Sequence, residues 1–159
     1  MTRILNADKG LSAYTVTLST LDADHVTYLD CRNSDQPLGF TFRAGQRLPA
    51  IYSATGKAIL AHVLEKERAR LLSGPWPDPL TPNGSCDRQR FETEMRQVRA
   101  RGHAIDNGDI REGPICVGVP VIGASGGPSA GIAVSMTAAE RCDEIGARLT
   151  EFAALLALV

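Results

Sequence analysis

The stretch Ile115-Cys-Val-Gly-Val-Pro-Val-Ile122, followed by Ala130-Gly-Ile-Ala-Val-Ser-Met136, decides the fold class of this chain. Both segments are rich in β-branched residues, and the turn Gly123-Ala-Ser-Gly-Gly-Pro128 lies between them, which predicts a β-hairpin. Nearer the N-terminus, Tyr14–Thr20 alternates apolar with hydroxyl-bearing residues, and His25–Asp30 follows a short polar turn. This alternation predicts a second hairpin, so the chain has a strand pair towards each end.

The residues between the two hairpins predict a short strand, a turn and helices. Leu38–Phe42 is predicted as a third strand that leads into the turn Arg43–Arg47, where Gly45 permits a positive φ. Over residues 53–72, alanine and leucine recur at helical spacing, which predicts one helix or two short ones. Prolines then place residues 75–82 in an extended surface loop, because proline removes backbone donors.

A further helix is predicted after this loop. Phe91, Met95 and Val98 fall at positions i, i+4 and i+7, which is the spacing of a buried helix face. Asp87 precedes them as a plausible N-cap, and Gly102 can end the helix in the left-handed conformation.

The C-terminal segment predicts a last helix. Residues 137–140, Thr-Ala-Ala-Glu, form a capping-box pattern. The apolar stripe after it suits packing on another helix, of this chain or of a second subunit. Its members are Cys142, Ile145, Leu149, Phe152, Leu156 and Val159. Strands and helices do not alternate along the chain, so we expect an α+β fold with an antiparallel sheet and segregated helices.

The size and charge of the chain limit its possible functions. With 159 residues, we expect a single domain over residues 1–159. Lys and Arg number 17 against 18 Asp and Glu, for a net charge of −1, whereas nucleic-acid-binding domains usually carry a basic excess. In the densest basic stretch, Arg88–Arg101, arginines are interleaved with Glu92 and Glu94, which is typical of a solvent-exposed helix face. This chain alone is therefore a poor candidate for binding DNA.

Cysteine spacing and hydropathy exclude further classes. Cys31, Cys86, Cys116 and Cys142 form no CxxC motif or Cys/His cluster, so we expect free thiols, no metal site and no disulfide scaffold. No apolar run approaches the roughly 20 residues that cross a bilayer, and residues 1–10 lack a signal-peptide core. We therefore expect a cytoplasmic protein without a cofactor.

One fragment resembles a phosphate-binding loop but fails the test. In Ser53–Ala58, Ile51 stands where the first glycine of a P-loop is required, and Ala58 stands where Ser or Thr is required. Nucleotide binding through this fragment is rejected. Lys57, however, lies near a helix N-terminus, where the helix dipole disfavours a cation, and this placement predicts a carboxylate partner.

Four segments in order carry a resemblance to a known family: Leu48–Leu60, Arg101–Asp106, Gly113–Val121 and Gly131–Ser135. Together they resemble the effector-binding domain of IclR-type bacterial transcriptional regulators, over about residues 12–158. The resemblance implies a GAF-like domain, a curved antiparallel sheet flanked by helices, that binds a small organic effector and forms homodimers or homotetramers.

Complete members of that family carry an N-terminal winged helix-turn-helix, and there is no room for one before Tyr14. We therefore expect DNA contact only through a domain outside this chain, which would be an isolated sensory domain or a truncated protein. The near-neutral charge points the same way.

The resemblance also implies where an effector binds. By motif position, the effector-binding residues are Ala44, Gly45, Gln46, Asp106, Cys116 and Ser135. Family members commonly have a second serine two residues before the last of these, where this chain has Ala133, so one effector hydrogen bond is missing or a less polar ligand fits.

The chemistry of these residues suits a small carboxylic acid. Free N–H groups in a glycine turn favour an anion, and a serine hydroxyl adds a directed donor. Asp106 would repel a carboxylate unless it faces a hydroxyl or carbonyl group of the ligand, or an intervening proton. Hydroxy- or oxo-acids, aliphatic or aromatic, therefore fit this set.

Structural explanations compete with these functional ones. Cys116 in an apolar strand is equally consistent with core packing, and Asp106 beside Asn107-Gly108-Asp109 is more typical of a turn. Ser135 could bond to backbone, and Gly45 could serve the turn alone.

Three functions follow. The leading hypothesis is an acid-sensing domain of a transcriptional regulator that controls DNA binding through oligomer geometry, without catalysis. The second is a cysteine-dependent redox enzyme on a GAF-like scaffold, which would need an activated Cys116 thiol. The third is a ligand-free oligomerisation module, suggested by the C-terminal stripe.

Overall fold

A computed structural model describes residues 10–35, 41–84, 87–137 and 141–158. Six strands form one curved sheet in the order β3-β2-β1-β6-β5-β4, in which all neighbours are antiparallel. The strands are β1 (Thr15–Asp22), β2 (His25–Arg32), β3 (Arg47–Pro49), β4 (Ala104–Asn107), β5 (Ile115–Ile122) and β6 (Pro128–Met136). The α-helices are α1 (Ala54–His62), α2 (Glu65–Leu71), α3 (Arg88–Arg101) and α4 (Cys142–Leu156), with a 3-10 turn at Pro82–Gly84. This is the α+β architecture that the sequence predicts.

Alternating side chains along the strands give the sheet two buried faces. On one face, valines and isoleucines of β1, β5 and β6 pack against α4. On the other, α1 and α3 cover a second core that includes Tyr52, Phe91 and Met95. Polar residues such as Thr17 and Ser135 interrupt this second face, and both are buried.

Glycine lets α1 lie directly on the centre of the sheet. A Cβ added at Gly118 of β5 would lie 2.4 Å from the carbonyl oxygen of Ala54, and one at Gly131 of β6 would lie 2.8 Å from that of Thr55. A side chain larger than hydrogen would therefore push the helix away. The first turn of α1 is thus held next to the middle strands.

Most predicted elements are confirmed. Both hairpins form, and residues 53–72 contain two helices, α1 and α2. Asp87 caps α3 by accepting a hydrogen bond from the Arg90 N–H at 2.8 Å, and Gly102 ends that helix with a φ of 89°. The proline-rich segment is an irregular loop up to the 3-10 turn.

Two predictions fall mostly outside the described residues, and one strand of the structure was not predicted. The predicted strand Leu38–Phe42 falls mostly outside the described residues, and Phe42 itself is not in a strand; the third strand lies after the turn, at Arg47–Pro49. Strand β4 was missed, because its four residues run directly into a turn-forming Asn-Gly-Asp sequence. The capping box at 137–140 lies mostly outside the described residues, and α4 begins at Cys142 with no side-chain cap.

The apolar stripe of α4 packs on the sheet and not on another helix. Ile145, Leu149 and Phe152 are fully buried against the valines of β5 and β6, and Cys142 and Leu156 pack at its edges. The stripe is therefore satisfied within its own chain, whereas Val159 lies outside the described residues.

We expect Gly118→Ala to destabilise the fold by about 1–3 kcal/mol, because the new methyl group would collide with the backbone of α1. Chemical denaturation measures the change. Gly127→Ala is the matched control, since a methyl group added there would meet no atom of another segment within 4 Å. Equal stability of the two variants would contradict the close approach of α1 to β5.

Candidate functional site

The strand register places four polar side chains in one row across the sheet. Asp106 of β4 pairs with Cys116 of β5, Cys116 pairs with Ser135 of β6, and Ser135 pairs with Thr15 of β1. Paired residues of antiparallel strands share a face, so the four side chains are neighbours. All four are buried, and the Cys116 Sγ lies 3.1 Å from the Ser135 Oγ. An apolar face of the sheet thus contains a polar strip.

The N-terminus of α1 lies beside this row. The Ser53 Oγ accepts a hydrogen bond from the Gly56 N–H at 2.9 Å and so caps the helix. The Ser19 hydroxyl of β1 donates to the Thr55 hydroxyl at 2.6 Å and fixes the helix on the sheet. The first N–H groups of a helix have no partner within it, and the helix dipole makes this end partly positive. The site therefore combines a polar strip with an end that favours an anion.

Two small adjoining cavities lie over the row. They share Phe42, Asp106, Ile110 and Cys116. The first is also lined by Thr17, Tyr28, Ser53, Ala54, Thr55, Ala133 and Ser135, and the second by Thr41, Gln46, Arg111 and Pro114. Their volumes of about 10 and 20 Å³ hold about one water molecule each. The space over the row in this structure is therefore too small for an organic acid.

Asp106 is held by the turn that follows it. Its Oδ1 accepts hydrogen bonds from the N–H groups of Asp109 at 2.7 Å and Ile110 at 3.4 Å. Burial nevertheless raises the pKa of Asp106 to about 7, although the charge of Lys57 opposes this shift. Near neutral pH this carboxyl can therefore either donate or accept a hydrogen bond. Asp106 therefore holds the turn that its sequence neighbours predict, and its side chain also lines both cavities.

The neighbouring groups are kept neutral. Burial, with a contribution from the charge of Asp106, raises the pKa of Cys116 to about 12. The pKa of Tyr28 is also raised, chiefly by burial and further by Cys116 and Asp106. A thiolate nucleophile needs the opposite environment, one that lowers the thiol pKa. The surroundings of Cys116 therefore disfavour the redox chemistry of the second hypothesis.

Lys57 has the carboxylate partners that its position predicts. Its side chain is 3% exposed, and its Nζ donates to the Glu94 Oε1 at 2.8 Å, the Asp109 Oδ2 at 2.5 Å and the Ile105 carbonyl at 3.2 Å. Burial lowers the pKa of Lys57, but the two carboxylates outweigh it and raise that pKa overall. The amine thus ties α1 to α3, to β4 and to the turn that holds Asp106.

The structure brings together four of the six predicted site residues. Gln46, Asp106, Cys116 and Ser135 line the cavities. Ala44 and Gly45 are not among the described lining residues. The Gly45 N–H donates to the Tyr28 carbonyl at 2.7 Å, and the Gln46 N–H donates to the Arg43 carbonyl at 3.2 Å. These two amides are therefore already satisfied, and the idea that this turn offers them to an anion is wrong for this conformation.

Sequence reasoning missed residues that the fold adds to the site. Tyr28 enters it because the regular register of the first hairpin, counted from the Asp22–His25 pair at its turn, pairs Tyr28 with Ser19. The irregularity between Leu18 and Ser19 follows this pair and leaves Leu29 half exposed. The hydroxyl alternation of β1 could have indicated Thr17, since it marks one polar face of that strand. Ala133 lies in the site, where a family serine is expected.

Comparisons with known proteins fit this geometry. The family described as Bacterial transcriptional regulator IclR C-terminal matches residues 4–157. The chain therefore belongs to the IclR family of bacterial transcriptional regulators, and it corresponds to their C-terminal domain. It is 30% identical over 146 residues to KdgR of Escherichia coli, which is 92% of this chain and 54% of KdgR. It is 31% identical over 121 residues to BhcR of Paracoccus denitrificans, or 76% of this chain and 43% of BhcR.

Solved structures give the same result. The Agobacterium tumefaciens repressor BlcR is 39% identical, with a TM-score of 0.90 over 98% of this chain and 63% of BlcR. The inducer-binding domain of Acinetobacter PobR was solved with 3-hydroxybenzoic acid and is 22% identical to this chain. The match covers 99% of this chain and 95% of the PobR chain with a TM-score of 0.83, which shows that the two share a fold. The chain spans about half the length of the curated relatives it matches. These relatives are transcriptional regulators, and the domain is regulatory and not enzymatic.

Two features are absent from the described residues. None of the helices described is long and apolar enough to cross a membrane. Within the same residues, His, Cys, Asp and Glu side chains form no group of three or more that could hold a metal ion.

As the pH rises from about 4 to 7, we expect the unmodified chain to lose stability relative to the Asp106→Asn variant. Between about pH 4 and 7, the folded chain holds a proton on Asp106 that the unfolded chain has released. The stability from this proton is fully present below about pH 4 and is lost as the pH rises through 7. Asparagine keeps the acceptor oxygen but does not titrate. Urea unfolding of both proteins across this range measures the difference, and a constant difference would contradict the raised pKa.

We expect Lys57→Met to destabilise the chain by about 3 kcal/mol, because it leaves two partly buried carboxylates without their cation. Adding Glu94→Gln and Asp109→Asn should recover part of the loss. Denaturant unfolding gives the values, with Lys66→Met at an exposed position as the control. Equal stability of the two methionine variants would contradict the role given to the Lys57 ion pairs.

Proposed function

We propose that this domain senses a small carboxylic acid in the space over the row of Asp106, Cys116, Ser135 and Thr15 (the Asp106–Ser135 row). The observation that carries the proposal is the register itself, which collects a carboxyl, a thiol and hydroxyls on one buried face beside a helix N-terminus. Isolated polar residues in a core cost free energy unless they have partners, so a buried polar strip with residual space suits a polar ligand.

The parts of the site suit different parts of such a ligand. The carboxylate of the acid lies against the N-terminus of α1, where unpaired N–H groups and the helix dipole favour negative charge. The Ser135 hydroxyl donates to it from the sheet. Asp106 lies across the cavity and binds a hydroxyl or carbonyl group of the same molecule. The pKa of Asp106 near 7 allows it to donate to a carbonyl or to accept from a hydroxyl.

The ligand class is a hydroxy- or oxo-acid, aliphatic or aromatic. A simple alkanoic acid offers Asp106 no bond beyond those that its Oδ1 already accepts from the turn, and so binds more weakly. The complex of PobR with 3-hydroxybenzoic acid supports the class, because that molecule has a carboxylate and a distant hydroxyl. Ala133 in place of a family serine favours a ligand with an apolar middle.

Binding requires the site to expand. The two cavities hold about one water molecule each, and Phe42 and Ile110 line both of them. We propose that these side chains move apart to join the cavities when the acid enters. The edge-to-face contact of Phe42 with Tyr28, with ring centroids 5.4 Å apart, then changes with occupancy. Movement at this contact would transmit the bound state to β2.

The whole regulator would convert this movement into a change of subunit arrangement. We propose a cytoplasmic homodimer or homotetramer that contacts DNA through a winged helix-turn-helix outside this chain. A coupling free energy of about 1–3 kcal/mol is typical of such linkage. The stripe of α4 is buried in its own subunit, so subunit contacts must use other surfaces. That burial also removes the main support for a ligand-free oligomerisation module.

The test is a thermal-shift screen with short oxo-acids, hydroxy-acids and hydroxybenzoates. An acid at about 100 times its Kd adds about 2.7 kcal/mol of stability, which raises the Tm by about 5–10 °C. We expect Ser135→Ala to abolish or strongly reduce the shift. Ser129→Ala is the matched control, because this serine of the same strand bonds to the Val121 carbonyl away from the site.

Two outcomes would contradict the proposal. If these acids produce no shift, the ligand-free oligomerisation module becomes the better account. If a shift survives Ser135→Ala unchanged, the acid binds elsewhere on the domain.

A further inference from the structure

A second and larger recess lies on the other side of strand β4. It is a polar groove of about 470 Å³ between α3 and β4, which is within the usual size range of small-molecule sites. From α3 it is lined by Arg90, Glu94, Gln97 and Arg101, which recur at i, i+4, i+7 and i+11 and so share one side of the helix. The opposite wall includes Asn107 and Asp109 of β4 and its turn.

The two ends of the groove carry positive charge. Arg90 and Arg101 are eleven positions apart, which is about 16 Å along the helix axis. Within the described residues, neither arginine has a carboxylate partner, although the Arg101 Nε donates to the His103 carbonyl at 2.7 Å. Both guanidinium groups can therefore bind an anion.

The glutamates of α3 do not neutralise these arginines, because they pair with cations of other helices. Glu92 accepts from Arg68 of α2 at 2.6 Å, and Glu94 accepts from Lys57 of α1. The arginines of α3 do lie on the solvent-exposed face that the sequence predicts, but Glu92 and Glu94 pair with cations of other helices. The acidic side chains serve the packing of α3, and the groove keeps an excess of cations at its rim.

The middle of the groove accepts hydrogen bonds. Lys57 at its floor has three acceptors for its three N–H groups, so it does not need a ligand. Those bonds use the Glu94 Oε1 and the Asp109 Oδ2. Among the described residues, the Glu94 Oε2 and the Asp109 Oδ1 have no hydrogen bond, so both can accept one from a ligand hydroxyl. The amides of Gln97 and Asn107 supply donors and acceptors beside them.

We propose that this groove is a second binding site, for a small dicarboxylic acid with hydroxyl groups between its carboxylates. Each carboxylate pairs with Arg90 or Arg101, for which the planar guanidinium group is well suited. The hydroxyls donate to Glu94 and Asp109. A monocarboxylate would leave one arginine unpaired, and an unsubstituted diacid would leave the acceptors unpaired. The proposal does not rest on the effector site over the Asp106–Ser135 row.

The experiment is a calorimetric titration of the full chain with D-glucarate, a six-carbon hydroxylated diacid, and with adipate, which has the same length without hydroxyls. We expect saturable glucarate binding that weakens about tenfold or more in Arg90→Gln, whose side chain makes no other bond among the described residues, and in Arg90→Gln/Arg101→Gln. Adipate should bind about tenfold more weakly than glucarate. Arg99→Gln removes one charge, as Arg90→Gln does, from a position of α3 that does not line the groove, and should bind like the unmodified chain.

Each contrary result overturns the proposal. Absence of saturable binding at millimolar glucarate shows that the groove is not such a site. Equal weakening of glucarate binding in Arg99→Gln and Arg90→Gln shows a general charge effect. Loss of glucarate binding in Ser135→Ala, with Arg90→Gln unaffected, places the diacid in the effector site and leaves the proposed function standing.

Discussion

The buried amine of Lys57 is the interaction on which the arrangement of this domain depends. It lies in the first turn of α1, where the helix dipole disfavours a cation, and it is stable there because Glu94 and Asp109 surround it. Those carboxylates come from α3 and from the turn after β4, so one side chain fixes three elements at a common point. Asp109 also donates its N–H to Asp106, so the same cluster positions the carboxyl of the proposed effector site.

The two faces of the sheet have different roles. The face towards α4 is apolar and satisfied within the chain, so it supplies stability. The face towards α1 combines glycines, which allow the helix to approach, with a row of polar side chains next to the helix N-terminus. Because the strand period is two, a one-residue slip of β6 would remove Ser135 from this row. The register of the sheet therefore determines the geometry of the site.

Much of the fold could be predicted from the sequence because its signals are local. The two hairpins, the cap and end of α3, and the carboxylate partner of Lys57 follow from alternation, turn residues and the helix dipole. Strand β4 could not be predicted, since its four residues have too short a pattern and gain their strand conformation by pairing with β5. The stripe of α4 shows a different limit, because helical spacing indicates a buried face but does not say whether a helix or a sheet covers it.

The candidate site was predictable only in part. Asp106, Cys116 and Ser135 were named from family motifs, and the register confirms that they are neighbours. Tyr28 follows from the predicted hairpin, because counting from its turn pairs Tyr28 with Ser19, but it was not named. The bonding of the Gly45 amide to the Tyr28 carbonyl depends on a tertiary contact and leaves no local signal. The cationic groove beside α3 could not be predicted from the sequence either, because Glu92 and Glu94 pair with cations that are distant in sequence.

The most direct test of the central claim is a crystal structure of the chain with a hydroxy- or oxo-acid that stabilises it. Our account predicts the carboxylate within hydrogen-bond distance of the Ser135 hydroxyl and the N-terminus of α1, with Asp106 bound to the distant polar group. It also predicts that Phe42, which lines both cavities, is displaced. An acid bound elsewhere, with the Asp106–Ser135 row unoccupied and contracted, would contradict the account.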